Sequence, residues 1–257
     1  MATIGGKVML EARGLSKHFG ALAVTNGVSL RLAAGERHAI IGPNGAGKTT
    51  LFNLLSGELA PDVGSVIIDG TDVGRLPPDA RARFGMSRSF QKNNLFAGLS
   101  VRENLGLAAM VGLGLSRCFW RSPMRDAEVV RRIEVAAGWV NLEGLLEADT
   151  GDLSYGARRQ LEVGLALAER PKVLLLDEPT SGMSPEETVA MLDMLKELPG
   201  NLTMLIIEHD MDLVYGIAER ITVLNYGEVV YEGTPEEVRA SGEVRQIYLG
   251  DWADRDA

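Results

Sequence analysis

Apolar and polar residues alternate along "VMLEARGL" (8–15) and "GVSLRLAAG" (27–35), and glycine closes or interrupts each run. Period two with a glycine stop predicts half-buried strands. "RHAIIG" (37–42) is a short apolar run that meets "GPNGAGKTT", after which "LFNLLSG" (51–57) takes helical spacing. "GSVIIDGTDV" (64–73) returns to strand. From about residue 77 to 150 the period changes: "PDARARFG", "SVRENLGLAAMVG" and "AEVVRRIEVAAGWV" read as helices, with "SRCFWRSPM" (116–124) as a loop between them. Ser100 with Glu103 makes a capping box for the second helix. Beyond residue 151 the α/β pattern resumes. "KVLLLDEP" and "LTMLIIEH" are continuous apolar runs, as strands covered on both faces should be. Ser184–Pro185–Glu187 and Thr234–Pro235–Glu237 mark two capped helix starts, and "RITVLNYGEVVYEG" predicts a hairpin turning at Tyr226–Gly227. The expected organisation is one domain over 1–257. Residues 1–76 and 151–257 would supply an α/β core with an antiparallel β subdomain, and 77–150 an inserted helical subdomain.

Composition narrows the partners. Apolar residues are 46% and charged residues 24% of the 257, ordinary for a chain with a sizeable core. The net charge of −9 argues against nucleic acid, whose phosphates need a basic face. Cys118 is the sole cysteine, so no internal disulfide forms. The N-terminal residues lack the apolar centre of a signal peptide. The longest uncharged apolar stretch, "LGLAAMVGLGLS" (105–116), is shorter than the roughly 20 residues a bilayer requires. A protein soluble by itself is expected.

Candidate chemistry starts at residues 42–50. Gly42, Pro43, Asn44, Gly45, Ala46, Gly47, Lys48, Thr49 and Thr50 fit G-x-x-x-x-G-K-[ST] between a strand and a helix. Glycines let backbone N–H groups turn inward around a phosphate, Lys48 adds charge at the β/γ-phosphates, and the Thr49 hydroxyl suits Mg²⁺. Asp177 ends a buried apolar strand, where a carboxylate is costly unless it meets a cation; Mg²⁺ beside Thr49 is the natural partner. Glu178 follows and can polarise an attacking water. His209 follows the next apolar strand, in the crevice that such sheets form at their strand ends. There it either contacts the γ-phosphate or serves packing alone. His18 and His38 read as structural. Gln91 either ligates Mg²⁺ or is an exposed polar residue. Phe19 either stacks on adenine or belongs to the core.

One string is left over: "LSYGARRQLE" (153–162), a serine–glycine corner at a helix start far from the phosphate loop. Taken in order, "GPNGAGKTT", Gln91, "LSYGA", "VLLLDE" and His209 resemble the Walker A, Q-loop, signature, Walker B and switch histidine of the nucleotide-binding subunits of ATP-binding-cassette (ABC) transporters. The resemblance covers nearly the whole chain and implies a P-loop ATPase with ATP and Mg²⁺ as cofactors. Lys48, Glu178 and His209 would be catalytic, and Thr49, Gln91 and Asp177 would face the metal. In this family Ser154, Tyr155 and Gly156 would close on ATP held by a second, head-to-tail subunit, identical or related.

Two transmembrane permeases would dock on the helical block from a cytoplasmic, membrane-peripheral subunit, with a solute-binding protein further out. Tyr155 and Ala157 depart from the usual signature, and Ser184 stands where an aspartate is usual. "RSFQKNNLF", "IIEHDMDLV", "EGTPEEV" and "IYLGD" are similar to importers of branched-chain amino acids. ATPases of amide, urea and lipopolysaccharide systems form the alternative. A soluble ABC ATPase of repair or translation would show long heptads or a second cassette, and neither is present. A degenerate, inactive module would lack the lysine and carboxylates that are here.

Overall fold

The computed structural model describes residues 6–89, 95–115 and 123–253. β1 (Val8–Phe19) and β2 (Leu22–Ala33) form a hairpin, and β3 (Arg37–Ile41) runs through the glycine loop into α1 (Lys48–Ser56). β4 (Val63–Ile68), β5 (Thr71–Asp72), α2 (Pro78–Ala82) and β6 (Met86–Arg88) follow. Three longer helices come next: α3 (Val101–Gly112), α4 (Ala127–Trp139) and α5 (Tyr155–Ala168). The chain closes with β7 (Val173–Asp177), α6 (Pro185–Glu197), β8 (Thr203–Ile207), α7 (Met211–Ile217), β9 (Arg220–Asn225), β10 (Glu228–Gly233), α8 (Pro235–Ala240) and α9 (Gly242–Ala253).

One sheet is antiparallel, ordered β2-β1-β4-β5; the other is ordered β10-β9-β3-β8-β7-β6 and is parallel except at β10. The second is the core. In β7 and β8 every residue is buried, and the two faces sort by period two. Leu174, Leu176, Met204 and Ile206 pack towards the helices, in one cluster with residues of α3, α4, α5 and α6. Val173, Leu175, Leu205 and Ile207 pack towards α1 and the antiparallel sheet. Each such leucine or isoleucine contributes about 1.5–3 kcal/mol by leaving water.

Capping follows the sequence. Ser100/Glu103, Ser184/Glu187 and Thr234/Glu237 all form reciprocal capping boxes. Ser184 therefore serves α6 as its cap. Two boundaries differ from the expectation. Residues 86–88 lie in the block expected to be helical, yet β6 joins the core sheet beside β7; three residues are too few to show a period. The signature helix α5, expected with the core, packs with α3 and α4 in a three-helix group. Its apolar face reads the same whether a helix or a sheet covers it. The loop expected over 116–124 is described only from Pro123, which opens a 3-10 turn to Arg125.

Candidate nucleotide site

The site is built on strand ends. β3, β8 and β7 are parallel neighbours, so the glycine loop after β3, His209 after β8 and Asp177–Glu178 at the end of β7 emerge at one edge. Adjacent strands are about 4.8 Å apart, which brings three sequence-distant segments within reach of one ligand.

The glycine loop is shaped by close approach. A side chain at Gly42 would collide with the Leu224 carbonyl oxygen, and one at Gly47 would meet the Val24 carbonyl at 2.5 Å; Gly47 also has φ +98°. Any other residue at either position would push the loop away from the strands that support it. Gly227 N–H donates to Ala46 O at 3.0 Å and ties the β9–β10 hairpin to the loop. Gly47 precedes α1 without a side chain, leaving the first amides of the helix to a ligand. Lys48 Nζ folds back over the loop, donating to Gly42 O (2.6 Å) and Pro43 O (3.0 Å). Asn44, Gly45 and Thr49 are exposed along the loop and the start of α1, and Thr50 is half-buried. Phe19 is 50% exposed beside the tip of the hairpin whose Val24 abuts Gly47. Its exposure fits the stacking reading over the core one.

At the β7 end, Asp177 is buried and its Oδ2 accepts from Arg88 at 3.1 Å. Burial pushes its carboxyl above the ordinary range, with the Arg88 guanidinium pulling the other way. Its Oδ1 is buried with no hydrogen-bond partner among the described residues. A buried, unpartnered carboxylate oxygen at the sheet edge that carries the glycine loop is the kind of donor a hard divalent cation takes, so the residues fit Mg²⁺. Glu178 is half-buried, with φ +46°, a left-handed backbone that non-glycine residues keep only under constraint. His209 Nδ1 lies 3.9 Å from Glu178 Oε1, so the structure brings those two together. His38 is fully buried between Glu36 (2.8 Å) and Thr222 (2.7 Å), the structural role expected. Gln91 lies outside the described residues.

The signature residues are not part of this cluster. Ser154 caps α5, its hydroxyl accepting from Ala157 N–H at 3.2 Å. Gly156 N–H donates to Glu187 Oε1 at 3.0 Å, and the Tyr155 hydroxyl to Ser181 O at 2.8 Å. Among the described residues, all the hydrogen bonds of this corner go to α5 itself, to α6 and to the loop after β7, and none to the glycine loop. Tyr155 thus bridges the signature to the segment that carries Glu178.

Sequence reasoning missed Arg88. It donates to Asn53 Oδ1 (2.7 Å) and Ser56 Oγ (3.2 Å) on α1 as well as to Asp177, and stacks on Phe52 at 4.7 Å from the ring centre. It pins the helix of the glycine loop to the strand of Asp177. An arginine in an unremarkable polar string gave no warning of this.

Known proteins share this sequence pattern and fold. The profile described as ABC transporter matches residues 25–181. The chain belongs to the ABC transporter family. Curated ABC relatives include the high-affinity branched-chain amino acid transport ATP-binding protein BraF of Pseudomonas aeruginosa, 39% identical, with 95% of this chain and 98% of that one covered. LivG of Escherichia coli K12, with the same description, is 39% identical over 95% and 98%. The lipopolysaccharide export system ATP-binding protein LptB of Acidithiobacillus ferridurans is 34% identical over 95% and 97%. Among solved structures, the ADP conformation of MJ1267, an ATP-binding cassette of an ABC transporter, superposes with TM-score 0.84 at 30% identity, covering 95% of this chain and 99% of that one. A dimeric post-hydrolysis state of the cassette MJ0796, bound to ADP and Pi, gives TM-score 0.73 at 25% identity over 88% and 99%. The ABC fold and an ATP-binding, ATP-hydrolysing activity are therefore those of this chain.

Proposed function

We propose that this ATPase powers import of branched-chain or closely related amino acids, working as a dimer beneath two membrane-embedded permease subunits. The observation that carries the dimer is the separation of two motifs within one chain. The glycine loop, Asp177, Glu178 and His209 share one sheet edge, whereas Ser154 and Gly156 form a separate serine–glycine corner at a helix start whose hydrogen bonds, among the described residues, include none to that loop. A head-to-tail pair would complete both sites, and the dimeric state of the MJ0796 cassette supports pairing as such. The higher identity to BraF and LivG than to LptB favours amino acids over lipopolysaccharide. In this reading permeation belongs to partner subunits; among the described residues no helix is long and apolar enough to cross a membrane.

In this reading the loop amides and Lys48 grip the phosphates and Phe19 stacks on the base. Thr49, Asp177 and Gln91 would hold Mg²⁺, which when bound offsets phosphate charge. Glu178 orients and deprotonates the attacking water, and His209 holds the γ-phosphate and the Glu178 side chain in register. Ser154, with the Tyr155 and Gly156 backbone, closes on the partner's γ-phosphate, which takes the place of internal partners at that corner. ATP then joins the protomers and hydrolysis releases them. The subunit would lie on the cytoplasmic face.

Complementation tests the shared site. Lys48→Ala and Ser154→Ala chains, each inactive alone, should regain hydrolysis when mixed, because one of the two composite sites is then intact. No recovery would count against it. For the solute, loss of ATP-driven leucine uptake in a strain lacking this subunit is expected; unchanged uptake contradicts the assignment.

A further inference from the structure

Glu208 directly follows β8 and is 1% exposed. Its Oε1 accepts from the Thr180 backbone N–H (3.1 Å) and the Thr180 hydroxyl (2.6 Å). Its Oε2 accepts from the backbone N–H groups of His209 (2.9 Å) and Asp210 (3.4 Å). The His209 Nδ1 lies 3.7 Å from that same oxygen. A carboxylate this deep persists only when its lone pairs are met. Here every donor comes from the two turns that carry Glu178 and His209.

Glu178 needs such support. Its φ of +46° holds only where the surroundings over-determine it. On one side its N–H donates to Ile207 O at 2.9 Å; on the other its carbonyl accepts from Ser181 N–H at 3.1 Å. The residue between Pro179 and Ser181 is Thr180, held by Glu208. Without that grip the left-handed turn can relax, and the direction in which Glu178 leaves the strand changes with it.

We propose that Glu208 is a positioning residue for hydrolysis, a buried bridge between the Thr180 and His209 turns that holds Glu178 and His209 in one orientation. This rests on the roles assigned to Glu178 and His209 under the proposed function. Glu208 acts through those two residues alone. The nucleotide is gripped by the loop after β3, so loss of the bridge is read in kcat and not in ATP binding.

The test is steady-state hydrolysis by the purified full chain against ATP concentration. Glu208→Gln keeps the shape but turns an amide NH₂ towards donors, and Thr180→Val removes the hydroxyl. Glu208→Gln should lower kcat about tenfold or more with KM for ATP within about twofold. Thr180→Val should lower kcat less, and the double variant should fall no further than Glu208→Gln alone. A wild-type kcat for Glu208→Gln, a fall matched by an equal rise in KM, or additive losses would overturn the bridge. If circular dichroism shows Glu208→Gln unfolded, Thr180→Val decides: reduced kcat at constant KM supports the bridge, and unchanged kcat overturns it. Glu178→Gln, run in parallel, keeps the two ideas apart. A fully active Glu178→Gln refutes the base assignment, whereas a silent Glu208→Gln beside a dead Glu178→Gln refutes only the bridge.

Discussion

Arg81 anchors the far end of the glycine-loop helix, and replacing it with methionine should destabilise the protein sharply. Its side chain is fully buried, yet it faces four backbone carbonyls and makes no ion pair among the described residues. The guanidinium donates to Leu54 O (2.7 Å) and Leu55 O (2.5 Å) in the last turn of α1, and to Gly74 O (3.0 Å) and Leu76 O (2.9 Å) in the loop between β5 and α2. A cation at a helix C-terminus also meets the negative end of the dipole.

Two effects oppose each other. Burial pushes the guanidinium down from its ordinary value to about 10, with Asp72 working the other way, which corresponds to a penalty of about 3 kcal/mol. Against it stand four hydrogen bonds to a charged donor, each worth about 1.5–3 kcal/mol. The bonds win, so Arg81→Met, which leaves four carbonyls bare, should cost about 3–5 kcal/mol. For a chain of this length that lowers Tm on the order of 10 °C. Thermal unfolding by circular dichroism, checked by the urea midpoint at unchanged m, measures it. The pH sign is also set: because the folded pKa lies below the unfolded one, this group's contribution becomes more favourable as pH rises above about 10. A Tm within about 2 °C of wild type, or above it, would refute the reasoning.

Other outcomes follow from the same contacts. Lys48→Ala should abolish ATP hydrolysis, read by phosphate release, while leaving the fold intact by circular dichroism. Glu178→Gln should lower kcat by about 10² or more with ATP still bound, since general-base catalysis supplies about 10²–10⁴. Ser184→Ala should cost about 1 kcal/mol of stability through loss of the α6 cap, seen as a Tm drop of about 2–4 °C. Glu169, whose carboxyl is raised by burial with the Ser87 hydroxyl opposing, has its stability contribution at low pH and loses it as pH climbs through the folded pKa. Glu169→Gln should therefore raise Tm at pH 8 and do so less at pH 4.

What was legible in the sequence was local. The glycine loop, the buried strands of Asp177 and His209, and the three capping boxes each depend on residues a few positions apart, and all stand where the pattern put them. The links between them were not legible. Arg88 meets Asp177 across 89 positions, Glu187 meets Gly156 across 31, and Glu208 meets Thr180 across 28. Nothing in the period or composition around those residues distinguishes a buried bridge from a solvated charge. The packing of α5 was hidden for the same reason, because an amphipathic helix does not say which element covers its face. The ordered family motifs filled part of that gap by implying which distant segments share a ligand.

Under the proposed function, ATP held on one protomer's glycine loop is closed by Ser154 of another. Sedimentation of Glu178→Gln with ATP and Mg²⁺ tests it most directly. A shift from monomer to dimer with ATP, absent with ADP and absent when Lys48→Ala or Ser154→Arg is added, is the predicted result. Monomers that bind ATP stoichiometrically yet never pair, at concentrations up to about 100 μM where even weak protein association is visible, would contradict it.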